Sequence, residues 1–238
     1  MIEKNSYCKK YRVRYTLVSV LLSVIFSFLF SRWSESGGRS AVGLALVNLG
    51  LFAFFTLRFR DRALGSLLAA AAAFGVVELM ADFLCVRSTR TLDYSPSGSL
   101  LLLESPWWMP LSWAIVALQV GVLGARGIAR FGLLRGAALS GLLGAFLIPF
   151  YEEMAHGANW WRYVNCWRIG HTPVYIIVAE ALIGAVLALL GHFALASSSL
   201  RQAASLGALA GIATIVGGLV GWGLVEFLGR GARPHWPF

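Results

Sequence analysis

Six side chains set an ionisable group inside or beside an apolar run: Glu78 and Asp82 in one, Glu152, Glu153 and His156 at the end of another, and Glu180 within a third. Glu78 and Asp82 are four apart and share a face if the run is helical. Two carboxylates that close do not both ionise easily, which suits a general acid or a proton carrier. The competing reading is an interfacial pair, wetted and matched by Arg87 or Arg90. Glu152, Glu153 and His156 are spaced by four and three and are expected to share a face too. Glu-x-x-His is a ligand spacing in di-iron bundles, but those use two such motifs and this chain has one. A mononuclear site would need His171 and Glu180 as well. The preferred reading is a hydrogen-bonded acid/base cluster with no metal and no cofactor. The structural alternative is a helix end satisfied by Arg162 or Arg168. Trp107, Trp108, Trp160, Trp161 and His171 lie close by in sequence and are candidate substrate contacts, the indoles able to shelter a cation on a ring face. Their competing role is anchoring at a membrane interface.

The elements that must position these groups are long apolar segments. Of 238 residues, 58% are hydrophobic and 13% charged, and mean hydropathy is +0.72. A soluble domain would carry about twice that charged fraction. Runs of bilayer-spanning length recur at 15–30, 41–57, 63–84, 108–125, 133–153, 173–195 and 203–228. They predict an all-α, polytopic bundle of about seven helices in a single integral membrane domain. A basic N-terminal segment (1–14) precedes the bundle (15–228) and a short tail (229–238) follows it. The first run has no A-x-A-like cleavage site after it, so an uncleaved span is expected. Barrel strands are not, because the runs are too long and lack alternation. Gly207 with Gly211, and Gly217 with Gly221, form G-x-x-x-G pairs that allow close helix approach.

Orientation follows from Lys and Arg. With the N-terminus in the cytoplasm, that side holds Lys4, Lys9, Lys10, Arg12, Arg14, Arg58, Arg60, Arg62, Arg126, Arg130, Arg135 and Arg201. The outer side holds the remaining eight: Arg32, Arg39, Arg87, Arg90, Arg162, Arg168, Arg230 and Arg233. The C-terminus is then outside. In this frame all nine Trp and every acid except Glu3 and Asp61 lie toward the outer side. The asymmetry predicts a cavity in the outer half of the bilayer, lined by carboxylates, His and Trp. The net charge of +9 comes from loop clusters rather than from one basic face, which argues against nucleic acid as a partner. Cys85 and Cys166 both fall just beyond spans on the outer side, where an oxidising compartment would favour a bridge. No Ser-His-Asp order, Walker motif, dinucleotide fingerprint or H-E-x-x-H is present.

At ELMADF, ESPWWMPLSW, PFYEEMAHGANWWRY and GHTPVYIIVAE the chain resembles an uncharacterised group of small bacterial multi-pass membrane proteins. In architecture it is also similar to membrane-bound terpenoid cyclases of fungal meroterpenoid pathways, to carotenoid hydratases and to the small lycopene cyclases. The last carry Pro-x-Glu-Glu, whereas here Pro149 stands one residue further from Glu152 and Glu153. The resemblance implies protonation of an isoprenoid by carboxylic acids.

The expectation is therefore an inner-membrane enzyme, cyclase, hydratase or isomerase in type, acting on a lipophilic substrate from the bilayer. Glu78, Asp82, Glu152, Glu153, His156 and Glu180 are its candidate acids and bases. A proton-coupled carrier using the same carboxylates, or a non-catalytic subunit, are the other readings; the residues name no protein partner.

Overall fold

The computed structural model describes residues 2–33 and 36–227, with side chains from 11 to 226. Arg230, Arg233, Trp236 and the tail as a whole lie outside the described residues, as does the side chain of Cys8. Seven helices are long and apolar enough to cross a bilayer, and the chain is a multi-pass membrane protein. They are α1 (Ile2–Phe30), α2 (Gly37–Phe59), α3 (Arg62–Phe83), α4 (Met109–Phe131), α5 (Leu133–Gly157), α6 (Val174–Ala194) and α7 (Leu200–Trp222). Single π-helical turns extend α3 over Leu84–Ser88 and α7 over Gly223–Phe227. Arg126 and Arg130, which follow the fourth apolar run (108–125) in sequence, sit within α4, and Pro173 caps α6 from just outside it.

Small residues set the packing. A β-carbon on Gly207 would stand 1.9 Å from the Ala70 carbonyl oxygen, so α7 meets α3 backbone to backbone. Gly211 continues that seam against Val77, while Gly217 and Gly221 turn toward α6 at Leu182 and Tyr175. The core beneath is apolar: Phe52, Phe55, Leu64, Leu67, Phe74, Leu118 and Leu187 are fully buried. Outward-facing Leu21, Leu46, Leu57, Leu142, Phe146 and Leu209 stay exposed, as bilayer-facing surface should.

One face of the bundle carries a cap made by the α3–α4 and α5–α6 loops. Barrel strands are absent from the described residues, but the cap holds three two-residue strand pairs. β1 (Leu92–Asp93) pairs antiparallel with β4 (Arg162–Tyr163), so the two loops are stitched together. β2 (Leu101–Leu102) pairs with β3 (Ser105–Pro106), and β5 (Arg168–Ile169) with β6 (Thr172–Pro173). Asp93 and Arg162, opposite each other in register, also form an ion pair at 2.7 Å. Burial alone would raise the Asp93 carboxyl, but the Ser95 N–H and Arg162 outweigh it and hold it below its usual 3.8.

The opposite face is held differently. Asp61 caps α3 by accepting from the Leu64 N–H at 3.1 Å. Its carboxylate also takes two guanidinium nitrogens of Arg12, and both side chains are buried.

Candidate functional site

Four carboxylates converge in the capped half of the bundle, from α3 (Glu78, Asp82), α5 (Glu152) and α6 (Glu180). Glu78, Asp82 and Glu152 are at most 6% exposed, and Glu180 is partly exposed. Glu78 lies within electrostatic reach of Asp82 and Glu180, and Glu152 of Glu180 and Asp82. No ion pair reaches any of the four among the described residues. The basic residues that sequence offered as partners are engaged elsewhere. Arg87 pairs with Glu104 at 2.5 Å, Arg162 with Asp93, and Arg168 donates to the Tyr163 carbonyl at 2.6 Å.

Neutral donors hold three of the acids. Thr214 of α7 donates to Glu78, Ser105 to Asp82 at 2.9 Å, and the Trp161 indole to Glu152 at 2.7 Å. Tyr94 adds a bond to Asp82, and the Tyr163 hydroxyl reaches Glu152 at 3.4 Å. Burial, reinforced by Asp82 beside Tyr94 and by Glu152 beside Tyr163, pushes both phenols well above their usual 10.0. They remain neutral donors at physiological pH. Glu180 differs: its carboxyl makes no hydrogen bond among the described residues.

Glu152 and Glu153 part company, which corrects the expectation that both share a face with His156. Consecutive helical residues point about 100° apart. Glu152 turns into the bundle, while Glu153 and His156 reach the rim. There the Glu153 carboxylate accepts from the His171 N–H at 2.8 Å and meets His171 Nδ1 at 2.6 Å, with both side chains about 40% exposed. The His156 ring stacks on His171 at 3.6 Å. Gly170, at φ +61°, makes the approach possible, since a β-carbon there would stand 2.3 Å from Glu153 Oε1. No group of three His, Cys, Asp or Glu side chains arranged to hold a metal ion occurs among the described residues.

The tryptophans divide too. Trp107 is half exposed on the cap. Trp108 and Trp160 are buried, their indoles donating to Ser99 at 3.0 Å and Ser40 at 2.8 Å. Both line a cavity of about 50 Å³ between α1, α2, α4 and α5, together with Ser23, Leu44, Ser112, Val116, Gln119 and Tyr151. Tyr151 is the hinge of the arrangement. It packs on Trp160 and Trp161, and its ring carries the cavity wall to within electrostatic reach of Glu152 and Glu180. A wider, open pocket on the cap is lined by Ser95, Pro96, His156, Asn159, Trp161 and Arg162. Cys85 and Cys166 are half-buried in the same cluster beneath the cap and are not bridged.

Residues 79–225 match a family described as a domain of unknown function, DUF6989. The chain belongs to the DUF6989 family. The matched segment runs from the end of α3 through the cap to α7, so it takes in Asp82, Glu152, Glu180 and Tyr151. It leaves out α1, α2 and, by one residue, Glu78. No curated protein and no solved structure matches the chain.

Sequence reading missed Tyr94, Tyr151, Tyr163, Ser105, Thr214, Ser112 and Gln119. For Gln119 and Thr214 a signal existed, because each is a polar side chain in the middle of an apolar span. The cap residues carried none, since their role depends on which loop lies over which acid.

Proposed function

We propose that this DUF6989 protein is an integral membrane enzyme that moves protons to and from a lipophilic substrate, as a cyclase, hydratase or isomerase would. Glu180 is the proton donor, and Glu152, Glu78 and Asp82 form the acid reservoir behind it. The observation that carries this reading is Glu180 itself: a carboxyl at bilayer depth without a hydrogen-bond partner among the described residues, beside three acids that have them. Structural carboxylates in such a setting are normally paired. Trp108, Trp160 and Trp161 supply apolar walls and ring faces that suit a carbon skeleton or a transient cation. The architectural resemblance to membrane-bound terpenoid cyclases and small lycopene cyclases, read from the sequence alone, would imply the same chemistry. The capped face is then the outer face, with the N-terminus cytoplasmic and the C-terminus outside.

A test uses cells that naturally carry the protein, grown in medium containing deuterium oxide, with their lipids profiled by mass spectrometry. The expected result is a lipid bearing deuterium on carbon that disappears when the gene is deleted and returns with the wild-type gene. An unchanged profile on deletion would remove the enzyme reading.

A second reading, a proton-coupled carrier, draws on a polar thread outside the acid cluster. Ser19 donates to Asn48 at 2.5 Å, and Gln119 donates to Ser19 and Ser23, so polar contacts continue away from the cap. Proton flux into vesicles containing purified protein, driven by a membrane potential, would favour it.

A further inference from the structure

The small cavity holds more unsatisfied hydrogen-bonding capacity than its size suggests. Ser112, Gln119 and Tyr151 line it, and among the described residues the Ser112 hydroxyl, the Gln119 side-chain oxygen and the Tyr151 hydroxyl have no hydrogen-bond partner. The Gln119 orientation is set by a relay rather than chosen. Asn48 donates to the Leu44 carbonyl at 2.9 Å, which leaves its oxygen to accept from Ser19. Ser19, having spent its proton, can only accept, so the Gln119 NH₂ must face it at 2.9 Å. Gln119 Oε1 is left over, and it can only accept.

The cavity is not fully enclosed. α1 and α5 meet near the cap, where a β-carbon on Gly157 would stand 2.8 Å from the Ser31 carbonyl oxygen. Below that contact, Leu142, Leu143, Phe146 and Leu147 of α5 and Leu21, Val24 and Ile25 of α1 are exposed to the bilayer side. α4 forms the floor. Ser112 and Gln119 lie seven residues apart on it, about 10 Å along the axis. A volume of about 50 Å³ holds roughly three to five water-sized groups. It takes up the end of a ligand while the rest of the chain stays in the bilayer.

We infer that this cleft binds the hydroxyl end of a lipophilic alcohol, with the hydroxyl donating to Gln119 Oε1 and the chain passing Val116 and Tyr151 toward the lipid. The ligand group must donate, because Gln119 Oε1 accepts; an ether, ester or ketone cannot satisfy it. It is neutral, because no charged side chain among the described residues lines the cleft. As a binding site the cleft stands alone. As a substrate site it rests on the enzyme reading, in which Tyr151 brings the ligand's carbons beside Glu180.

Photolabelling of the full-length protein in phosphatidylcholine vesicles tests this with three probes sharing one diazirine-bearing hexadecyl chain: the alcohol, its methyl ether and the plain alkane. The alcohol should label peptides around Val116 and Tyr151 saturably, and unlabelled hexadecanol should compete. Its labelling should exceed that of the ether and alkane by about tenfold, the order expected for leaving one buried acceptor unpaired. Val116→Phe, which fills the cleft, should reduce alcohol labelling about tenfold. Gln119→Met should bring the alcohol down to the ether while leaving ether and alkane labelling unchanged, a pattern that misfolding does not produce. Equal labelling by all three probes, or unsaturable labelling spread over the lipid-facing helices, would overturn the proposal. Saturable alcohol labelling in a protein without deuterium transfer would keep this site and remove the enzyme. Deuterium transfer without saturable labelling would do the reverse.

Discussion

Eight of the acids of this protein fall into two groups that differ in what surrounds them. Asp61, Asp93, Glu104 and Glu153 each face a cationic or imidazole partner: Arg12, Arg162, Arg87 and His171. They sit at the two ends of the bundle and tie elements together. Glu78, Asp82, Glu152 and Glu180 lie within it and face hydroxyls, an indole, phenols and one another. The first group does what ion pairs do in any fold. The second accepts the cost of burying acids near acids, and a cost of that kind is retained where the groups are used.

That contrast breaks if the two groups respond alike to substitution. The largest difference is expected between Glu152→Gln and Glu153→Gln, neighbours in sequence. The first should cut deuterium incorporation by about 10²–10⁴, the usual worth of a positioned acid or base, and the second by less than about tenfold. Asp61→Asn should act on stability. Leaving Arg12 buried and unpaired costs about 3–5 kcal/mol, read as a lowered unfolding midpoint in detergent, with turnover per folded molecule unchanged. Gly207→Ala, which drives a β-carbon into the Ala70 carbonyl, should destabilise by about 1–3 kcal/mol and leave both acid groups intact.

The smallest effect belongs to the cap. The folded Asp93 carboxyl lies below its usual 3.8, so its contribution is full above that pH and is lost as pH falls through the folded value. The pair is largely exposed, so the loss is about 0.2–1 kcal/mol. Arg162→Gln should shrink the difference in cap stability between pH 7 and pH 3, measured by proteolysis of the α5–α6 loop.

The bundle was legible in the sequence because membrane spans announce themselves by length and apolarity, but their ends were less so: α1 begins at Ile2, inside the stretch read as a separate basic segment, and α4 continues to Phe131, six residues past its expected end. Glu78, Asp82, Glu152 and Glu180 were legible for the same reason, as charges inside such spans. The division between Glu152 and Glu153 was not, because spacing shows which residues share a face but not which face points inward. The Arg12–Asp61 pair joins residues 49 apart, and nothing local marks it. The cap was least legible: two-residue strands are too short for alternation, and β1 meets β4 only because two loops cross above the acids.

Glu180 stands at the centre of the proposed chemistry, so the most direct measurement is deuterium transfer to lipid by Glu180→Gln, set against its unfolding midpoint in the same preparation. Gln keeps the shape and cannot donate a carboxylic proton. Because the native carboxyl has no hydrogen-bond partner to lose among the described residues, transfer should fall by about 10²–10⁴ while the midpoint stays within the scatter of the wild type or rises. Transfer at the wild-type rate, or a loss of transfer that merely follows a loss of folded protein, would contradict the claim that this acid is kept for chemistry.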